Sequence, residues 1–106
     1  MDLRNAPRFP THGSALLTGD HASGEGTLLN LSASGCAVQS TMLVRKGAYL
    51  ELALVLTDQE TPVPIELARV RWVSGVRFGL HFLAVGDDVR LRLDGTLTLL
   101  EQREGR

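Results

Sequence analysis

The sequence predicts a small, mainly β fold, in which a sheet is closed on itself or folded into a barrel. Short apolar runs are repeatedly interrupted by glycine, serine, aspartate and asparagine, a pattern typical of strands joined by turns. Within these runs apolar and polar residues alternate, so each strand has one face to bury. No long helical pattern lies among the strands, and strands of this kind need either a second layer or closure of their own sheet.

Six segments are predicted to be strands. In chain order they are residues 13–19, 25–32, 35–40, 48–56, 63–73 and 76–85. Leucine and alanine dominate the fourth segment, and both are indifferent strand formers. A strand is nevertheless preferred to a helix there, because leucine recurs at every second position from Leu50 to Leu56. Residues 20–26, with the sequence DHASGEG, are expected to form a flexible hairpin loop.

The last two strands are predicted to pair as a hairpin closed by Ser74 and Gly75. The side expected to be buried carries Ala68, Val70, Trp72, Val76, Phe78, Leu80 and Phe82. The other side carries Arg69, Arg71, Arg77, Gly79 and His81. Arg69, Arg71 and His81 are expected to form a solvated outer face, and the alternative is that they extend a ligand-binding surface.

Residues 87–100 fit two structures. Apolar residues alternate on both sides of Asp94 and Gly95, which indicates a hairpin. The same segment also has a helical stripe formed by Val89, Leu93, Leu97 and Leu100, with Asp87 or Asp88 available to cap its start. Glycine inside a helix costs about 1 kcal/mol relative to alanine. From these residues alone, the hairpin is favoured.

Size and charge narrow the classes of function. The 106 residues suffice for one domain with its own core. With 11 basic and 12 acidic side chains the net charge is −1, so no overall positive field attracts a nucleic acid polymer or an anionic membrane. No apolar run approaches the roughly 20 residues of a membrane span, and no charged and apolar leader opens the chain. We expect a cytoplasmic protein with no membrane or nucleic acid partner.

Residues with catalytic or metal-binding potential are present but show no catalytic pattern. They are His12, His21, His81, Asp20, Ser32 and Cys36. Their spacing fits neither a metal motif nor a nucleophile elbow. A single cysteine allows no intramolecular disulfide and no cysteine-based zinc site. The sequence therefore predicts a protein that is not an enzyme, with no catalytic residues, metal or cofactor.

Two short motifs carry the functional signal. RNAPRFP, at residues 4–10, places Arg4 and Arg8 four positions apart beside prolines. NLSASG, at residues 30–35, ends a predicted strand with Asn30, Ser32 and Gly35. A strand-ending turn explains the second motif in structural terms, because such residues bond to nearby backbone and glycine adopts special conformations. Exposed at the mouth of a barrel, the same groups form a donor and acceptor array for a base edge or a phosphate.

The order and distance of these motifs resemble the PilZ domain, the bacterial receptor module for the second messenger cyclic di-GMP (c-di-GMP). Arg4 and Arg8 match its Arg-x-x-x-Arg motif, and the triplet Asn30, Ser32 and Gly35 matches its Asp/Asn-x-Ser-x-x-Gly motif. ARVRWV followed by FGLHF is similar to the late strand pair of the family, which ends in a Gly-x-x-Phe. The resemblance covers residues 4 to about 100.

The resemblance implies a six-stranded antiparallel β-barrel followed by a C-terminal helix. It divides one domain into an N-terminal arm at residues 1–12, a barrel at 13–85, a helix at 86–101 and a tail at 102–106. A helix after the last strand contradicts the hairpin favoured above, and we take the helix as the expectation.

The resemblance also implies the ligand and its contacts. Arg4, Arg8, Asn30, Ser32 and Gly35 are the expected c-di-GMP site, in which arginine forks grip a guanine edge or a phosphate. The arm is expected to fold over the ligand and present a new surface to an unidentified downstream protein. The alternative is a nucleotide-independent protein interaction module. Binding of single-stranded nucleic acid is disfavoured, because there are few aromatic residues to stack on bases. Whether the protein forms a homodimer is left open.

Overall fold

The computed structural model describes residues 7–57 and 59–104. Seven strands and one helix form within these residues. In chain order they are β1 Phe9–Pro10, β2 Gly13–Thr18, β3 Ser23–Leu31, β4 Gly35–Gln39, β5 Tyr49–Leu56, β6 Val63–Ser74, β7 Arg77–Ala84 and α1 Asp87–Glu104.

Six of the strands close into an antiparallel barrel. Their order around it is β3, β2, β5, β6, β7 and β4, and β4 pairs again with β3. Closure leaves these strands without the free edges that would otherwise expose backbone donors and acceptors. The short β1 is the seventh strand and pairs with β3 through Phe9 opposite Leu31 and Pro10 opposite Asn30. The expected six-stranded barrel is therefore confirmed, with one additional strand.

The inward-facing apolar side chains of the strands fill the interior of the barrel. On β5, Leu50, Leu52, Leu54 and Leu56 are all buried, which confirms the strand predicted from their period of two. Phe78, Leu80 and Phe82 on β7 face the same core. Burying a large apolar side chain stabilises such a core by about 1.5–3 kcal/mol.

The orientation of Trp72 differs from the prediction. The register between β6 and β7 shifts between Val70 and Trp72, so Arg71 is an additional residue at a bulge. A bulge reverses the side on which the following residues lie, and Trp72 consequently lies on the outer wall, 41% exposed. The prediction that Trp72 faces the core was wrong, because strict alternation takes no account of a bulge.

The turn of the same hairpin also lies one residue later than predicted. Ser74 pairs with Arg77, so Gly75 and Val76 form the turn. Gly75 has a φ of +60°, which glycine adopts without a steric cost. Val76 is therefore exposed at the tip and does not face the core.

The loop between β2 and β3 is shorter than the expected residues 20–26. The backbone N–H of Gly19 donates to the carbonyl oxygen of Ala22 at 2.8 Å, which closes a tight turn, and β3 begins at Ser23. Gly24 lies against Met42 and Gly26 against Val38. Both glycines lie within β3, and neighbouring side chains occupy the space that a side chain at either position would need.

Residues 87–104 form the helix, so the hairpin favoured by local alternation is not what forms. Leu93 is completely buried, and Val89, Leu97 and Leu100 pack beside it on the core. The carbonyl oxygen of Gly86 accepts the first helical hydrogen bond from Arg90 at 2.8 Å. Asp87 and Asp88 lie in the first turn, where negative charge is favourable to the helix dipole. The helix continues to Glu104, beyond the expected end at residue 101.

The two ends of the barrel differ in the elements that they carry. The helix end carries α1, β1, the loop at residues 32–34 and residues 57 and 59–62 between β5 and β6. Arg92 of α1 donates there to the carbonyl oxygen of Pro62 at 3.1 Å. The loop end carries the turn at residues 19–22, the long connection at residues 40–48 and the turn at residues 75–76. Among the residues that the structure describes, no helix has the length and apolarity of a membrane span.

Candidate functional site

Arg8 and Asn30, from the two sequence motifs, come together at the helix end. Nη1 of Arg8 donates to Oδ1 of Asn30 at 3.1 Å, between exposed side chains separated by 22 positions in the chain. Pairing of β1 with the end of β3 produces this contact, because Phe9 lies opposite Leu31 and Arg8 immediately precedes Phe9. Arg4 lies outside the described residues.

Ser32 organises the loop that follows Asn30. Its side chain is fully buried, and its hydroxyl oxygen accepts from the backbone N–H of Gly35 at 3.1 Å and of Ser34 at 3.3 Å. The backbone N–H of Ser32 donates to the carbonyl oxygen of Gly35 at 2.8 Å. These bonds satisfy the turn internally, as expected for serine in this position. In this arrangement Ser32 supports the loop, and its hydroxyl is not exposed to solvent.

Gly35 lies against the backbone of β7. A Cβ at this position would overlap the carbonyl oxygen of Leu80, and a backbone atom paired within a barrel cannot easily move aside. The glycine of the motif is therefore required by the close approach of two strands. The contact of Gly35 with β7 also positions the loop at residues 32–34.

Gly35→Ala is expected to lower the free energy of unfolding by about 1–3 kcal/mol, because the added methyl forces β4 and β7 apart. Gly95→Ala is the matched control. A Cβ at Gly95 would meet nothing within 4 Å, and alanine should stabilise α1 by about 1 kcal/mol. Urea unfolding of the parent and of the two variants measures both changes in the free energy of unfolding. Equal stability of Gly35→Ala and the parent would contradict the close approach.

Arg90 is a residue of this region that the sequence analysis did not identify. It lies in the first turns of α1, and its Nη1 donates to the carbonyl oxygen of Ala33 at 2.6 Å. The backbone N–H of Phe82 donates to the next carbonyl oxygen, that of Ser34, at 2.8 Å. The loop is thus tied to both α1 and β7. No sequence signal located Arg90 here, because it belongs to neither motif and its partner Ala33 lies 57 positions away in the chain.

A second unidentified feature is a shallow depression on the outer wall, which we call the outer trough. Asn30 pairs with Ala37, Ala37 with Gly79, and Gly79 with Trp72, forming one row across β3, β4, β7 and β6. Residues paired in this way share a face of the sheet. The indole ring lies over Gly79, where any Cβ would overlap it. Small residues thus form the floor between Asn30 and Trp72. No sequence signal located the trough, because the predicted alternation put Trp72 and Gly79 on opposite sides of the hairpin.

The thiol of Cys36 lies in the core beneath the site, paired through its strand with Leu31. Burial raises the pKa of this thiol from 9.0 to about 12, and the positive charge of Arg8 offsets a smaller part of that rise. A thiol with so high a pKa is neutral at physiological pH and behaves as a small apolar group. Cys36 therefore packs in the core beneath the site as a small apolar side chain.

The exposed groups of the site are donors and acceptors suited to a planar or anionic ligand. Arg8 offers a fixed fork of N–H donors, and Asn30 offers an amide that both donates and accepts. Trp72 adds an aromatic surface across the trough. In the part of the chain that the structure covers, no three His, Cys, Asp or Glu side chains are grouped to hold a metal ion. The arrangement can bind and orient a small molecule by hydrogen bonding and stacking.

Several solved structures share this fold. The inhibitor of motility MotI/DgrA from Bacillus subtilis superposes with a TM-score of 0.74 at 19% identity, covering 98% of this chain and 52% of that one. YcgR from Escherichia coli in complex with c-di-GMP gives 0.74 at 18% identity, covering 98% and 48%. The PilZ domain of YcgR with c-di-GMP gives 0.72 at 16%, covering 97% and 95%. This chain thus spans about half the length of the first two proteins.

Among curated proteins, none matches the chain in sequence. A family model does match, and it covers most of the chain. This model, described as the PilZ domain, aligns with residues 2–99, which include both motifs, the barrel and most of α1. The chain belongs to the PilZ domain family.

Proposed function

We propose that the chain is a cytoplasmic receptor for c-di-GMP, which it binds on the outer wall of the barrel without chemical change. The observation that carries the proposal is the hydrogen bond between Arg8 and Asn30, since it unites two motifs that are distant in sequence. YcgR, whose structures contain c-di-GMP, has the same fold. Arg4, outside the described residues, is proposed as a further contact from the arm.

Arg8 is proposed to supply the principal polar contact. Its exposed guanidinium can donate two parallel hydrogen bonds to guanine O6 and N7 or to a phosphate, and it stays charged at every relevant pH. Its present partner, Oδ1 of Asn30, is a neutral acceptor. Exchange of that acceptor for a phosphate oxygen gives a charge-assisted and therefore stronger hydrogen bond. Asn30 is then free to bond the guanine edge.

Trp72 is proposed to complete the site by stacking on a base. Three strand spacings separate it from Asn30 along the row, roughly 14 Å between Cα atoms, and the indole ring projects over Gly79 into that interval. A flat dinucleotide can span the trough with phosphates near Arg8 and a guanine near the ring. Stacking of a base on an aromatic side chain is worth about 1–3 kcal/mol.

The signal is proposed to leave the site through the loop at residues 32–34. Arg90 of α1 holds the carbonyl oxygen of Ala33, so a ligand that displaces this loop also changes an attachment of the helix. Leu91, 72% exposed, and Leu99 lie on α1 away from the core. Exposed leucines of this kind suit a downstream protein, which would sense the helix and the ordered arm.

Isothermal titration with c-di-GMP tests the proposal, with GTP as the control ligand. We expect saturable heat for c-di-GMP and little for GTP, together with a change in the fluorescence of Trp72, the single tryptophan of the chain. The melting temperature should rise, because a ligand of the native state stabilises it. The stoichiometry will distinguish one bound molecule from two.

The alternative function is a PilZ module that contacts proteins without the nucleotide. The exposed leucines of α1 are the observation in its favour, whereas retention of the arginine and Asn-x-Ser-x-x-Gly motifs favours the receptor. Absence of both heat and thermal stabilisation with c-di-GMP would eliminate the receptor and leave this alternative. Partner capture with and without substitutions at Leu91 and Leu99 would then be decisive for it.

A further inference from the structure

A group of cations lines an open cavity at the loop end of the barrel. Lys46, Arg69 and Arg71, with Gly47 and Val70, surround a volume of about 620 Å³. The connection at residues 40–48 is fixed to β6 here, because Gly47 N–H donates to the carbonyl oxygen of Val70 at 2.7 Å and Val70 N–H donates to that of Ala48 at 2.8 Å. The cations are therefore held on a rigid support.

These cations are directed outwards. The guanidinium of Arg69 lies over the ring of Tyr49, 5.9 Å from its centroid, and the bulge between Val70 and Trp72 exposes Arg71. Neither guanidinium is among the hydrogen-bond donors found within residues 7–57 and 59–104. Arg90 and Arg92, by contrast, donate to backbone carbonyl oxygens. The loop end thus presents positive charge that is available to an external anion.

Exposed apolar side chains project from the same end of the barrel as the cations. Leu43 is 95% exposed, although its neighbours Met42 and Val44 pack on the core. Since the connection closes this end of the barrel, Leu43 must point away from it. Val76, 53% exposed, projects from the adjacent turn, where its carbonyl oxygen accepts from the backbone N–H of Ser40 at 2.8 Å.

We propose that the loop end docks on an anionic membrane surface. Leu43 and Val76 enter the boundary of the acyl chains, while Lys46, Arg69 and Arg71 bind lipid phosphates. Charge complementarity identifies the occupant: clustered cations are attracted to anionic lipids, and apolar tips beside them enter the layer beneath the headgroups. Leu43 and Val76 project from two separate loops, the connection at residues 40–48 and the turn at residues 75–76, as suits insertion into a fluid layer.

The overall charge of −1 gives no long-range attraction to a membrane, and it was one of the grounds for expecting no membrane partner. Docking depends instead on the local concentration of positive charge, since the field of separated charges is screened within about 10 Å at ordinary salt. The Arg8 site lies at the other end of β4, whose five residues span about 17 Å. Arg71 directly precedes Trp72 in the chain, so the docking surface adjoins the end of the outer trough that lies farthest from Arg8.

Co-sedimentation with vesicles tests docking. The full chain is mixed with vesicles of equimolar phosphatidylglycerol and phosphatidylcholine, or of phosphatidylcholine alone, at about 0.1 M salt. We expect binding to the anionic vesicles alone, weakening as salt is raised. Arg69→Gln with Arg71→Gln should reduce affinity by about fivefold for each cation removed. Leu43→Asp with Val76→Asp should reduce it by tenfold or more, because both aliphatic side chains lose their burial in the acyl boundary.

The matched control is Leu91→Asp with Leu99→Asp on α1, which changes the net charge by the same two units at the other end of the molecule. It should bind vesicles like the parent. Thermal unfolding verifies that each variant is folded. The proposal is overturned if the parent does not bind anionic vesicles, if it binds both kinds equally, or if the control loses as much affinity as the loop-end variants.

Discussion

Arg8→Ala is expected to weaken c-di-GMP binding by one to two orders of magnitude. A hydrogen bond to a charged group typically contributes about 1.5–3 kcal/mol, and 1.4 kcal/mol corresponds to a factor of ten in affinity. The free protein should keep its stability, because the bond that Arg8 donates to Asn30 is exposed and such bonds contribute little in water. Isothermal titration of parent and variant measures the ratio of dissociation constants.

Two further substitutions separate the geometry of Arg8 from its charge. Arg8→Lys retains the charge but loses the planar fork, so its affinity should lie between those of parent and alanine variant. Arg77→Ala removes an arginine that donates to Oε1 of Gln39 at 3.1 Å on another part of the wall, and should bind c-di-GMP almost like the parent. If Arg8→Ala binds as tightly as the parent, the assignment of this site is wrong.

Leu93→Ala is expected to lower the free energy of unfolding by about 2–5 kcal/mol, the usual cost of truncating a buried leucine. Leu93 is completely buried and is the residue through which α1 enters the core. A loss of this size is a large part of the 5–15 kcal/mol that stabilises a typical domain. Denaturation in urea, with the midpoint and slope measured together, gives the change.

Leu91→Ala is the control for this substitution. Leu91 lies two positions away in the same helix but is 72% exposed, so alanine should change stability by less than about 0.5 kcal/mol. Leu93→Ala should also loosen the bond between Arg90 and Ala33, and hence weaken c-di-GMP binding. A similar small effect for both leucines would mean that α1 is not anchored through Leu93.

The alternation of leucines on β5 and of Phe78, Leu80 and Phe82 on β7 was sufficient to predict strands and their buried faces. This succeeded because the side-chain period of a strand is a local property of the backbone. It failed at Trp72, where a bulge reverses the alternation. Bulges depend on how two strands fit together, and residues within one strand do not encode them.

The segment at residues 87–104 shows a different limit. Its alternating pattern and its helical stripe are both present in the same residues, so local preference could not separate hairpin from helix. The barrel already has its six strands paired in a closed order, and a further hairpin would find no free edge. Packing of Leu93 into the core decides in favour of the helix, which the resemblance to PilZ domains had implied.

The sequence by itself determined that this protein is a small β domain with a buried alternating core and two motifs of the PilZ type. Only the tertiary structure decided which groups meet: Arg8 with Asn30 through the pairing of β1 and β3, Arg90 with the loop at Ala33, and Trp72 with the outer trough. The physical reason is that periodicity and turn preference act between neighbours in the chain, whereas strand register and barrel closure are set by packing between residues distant in sequence.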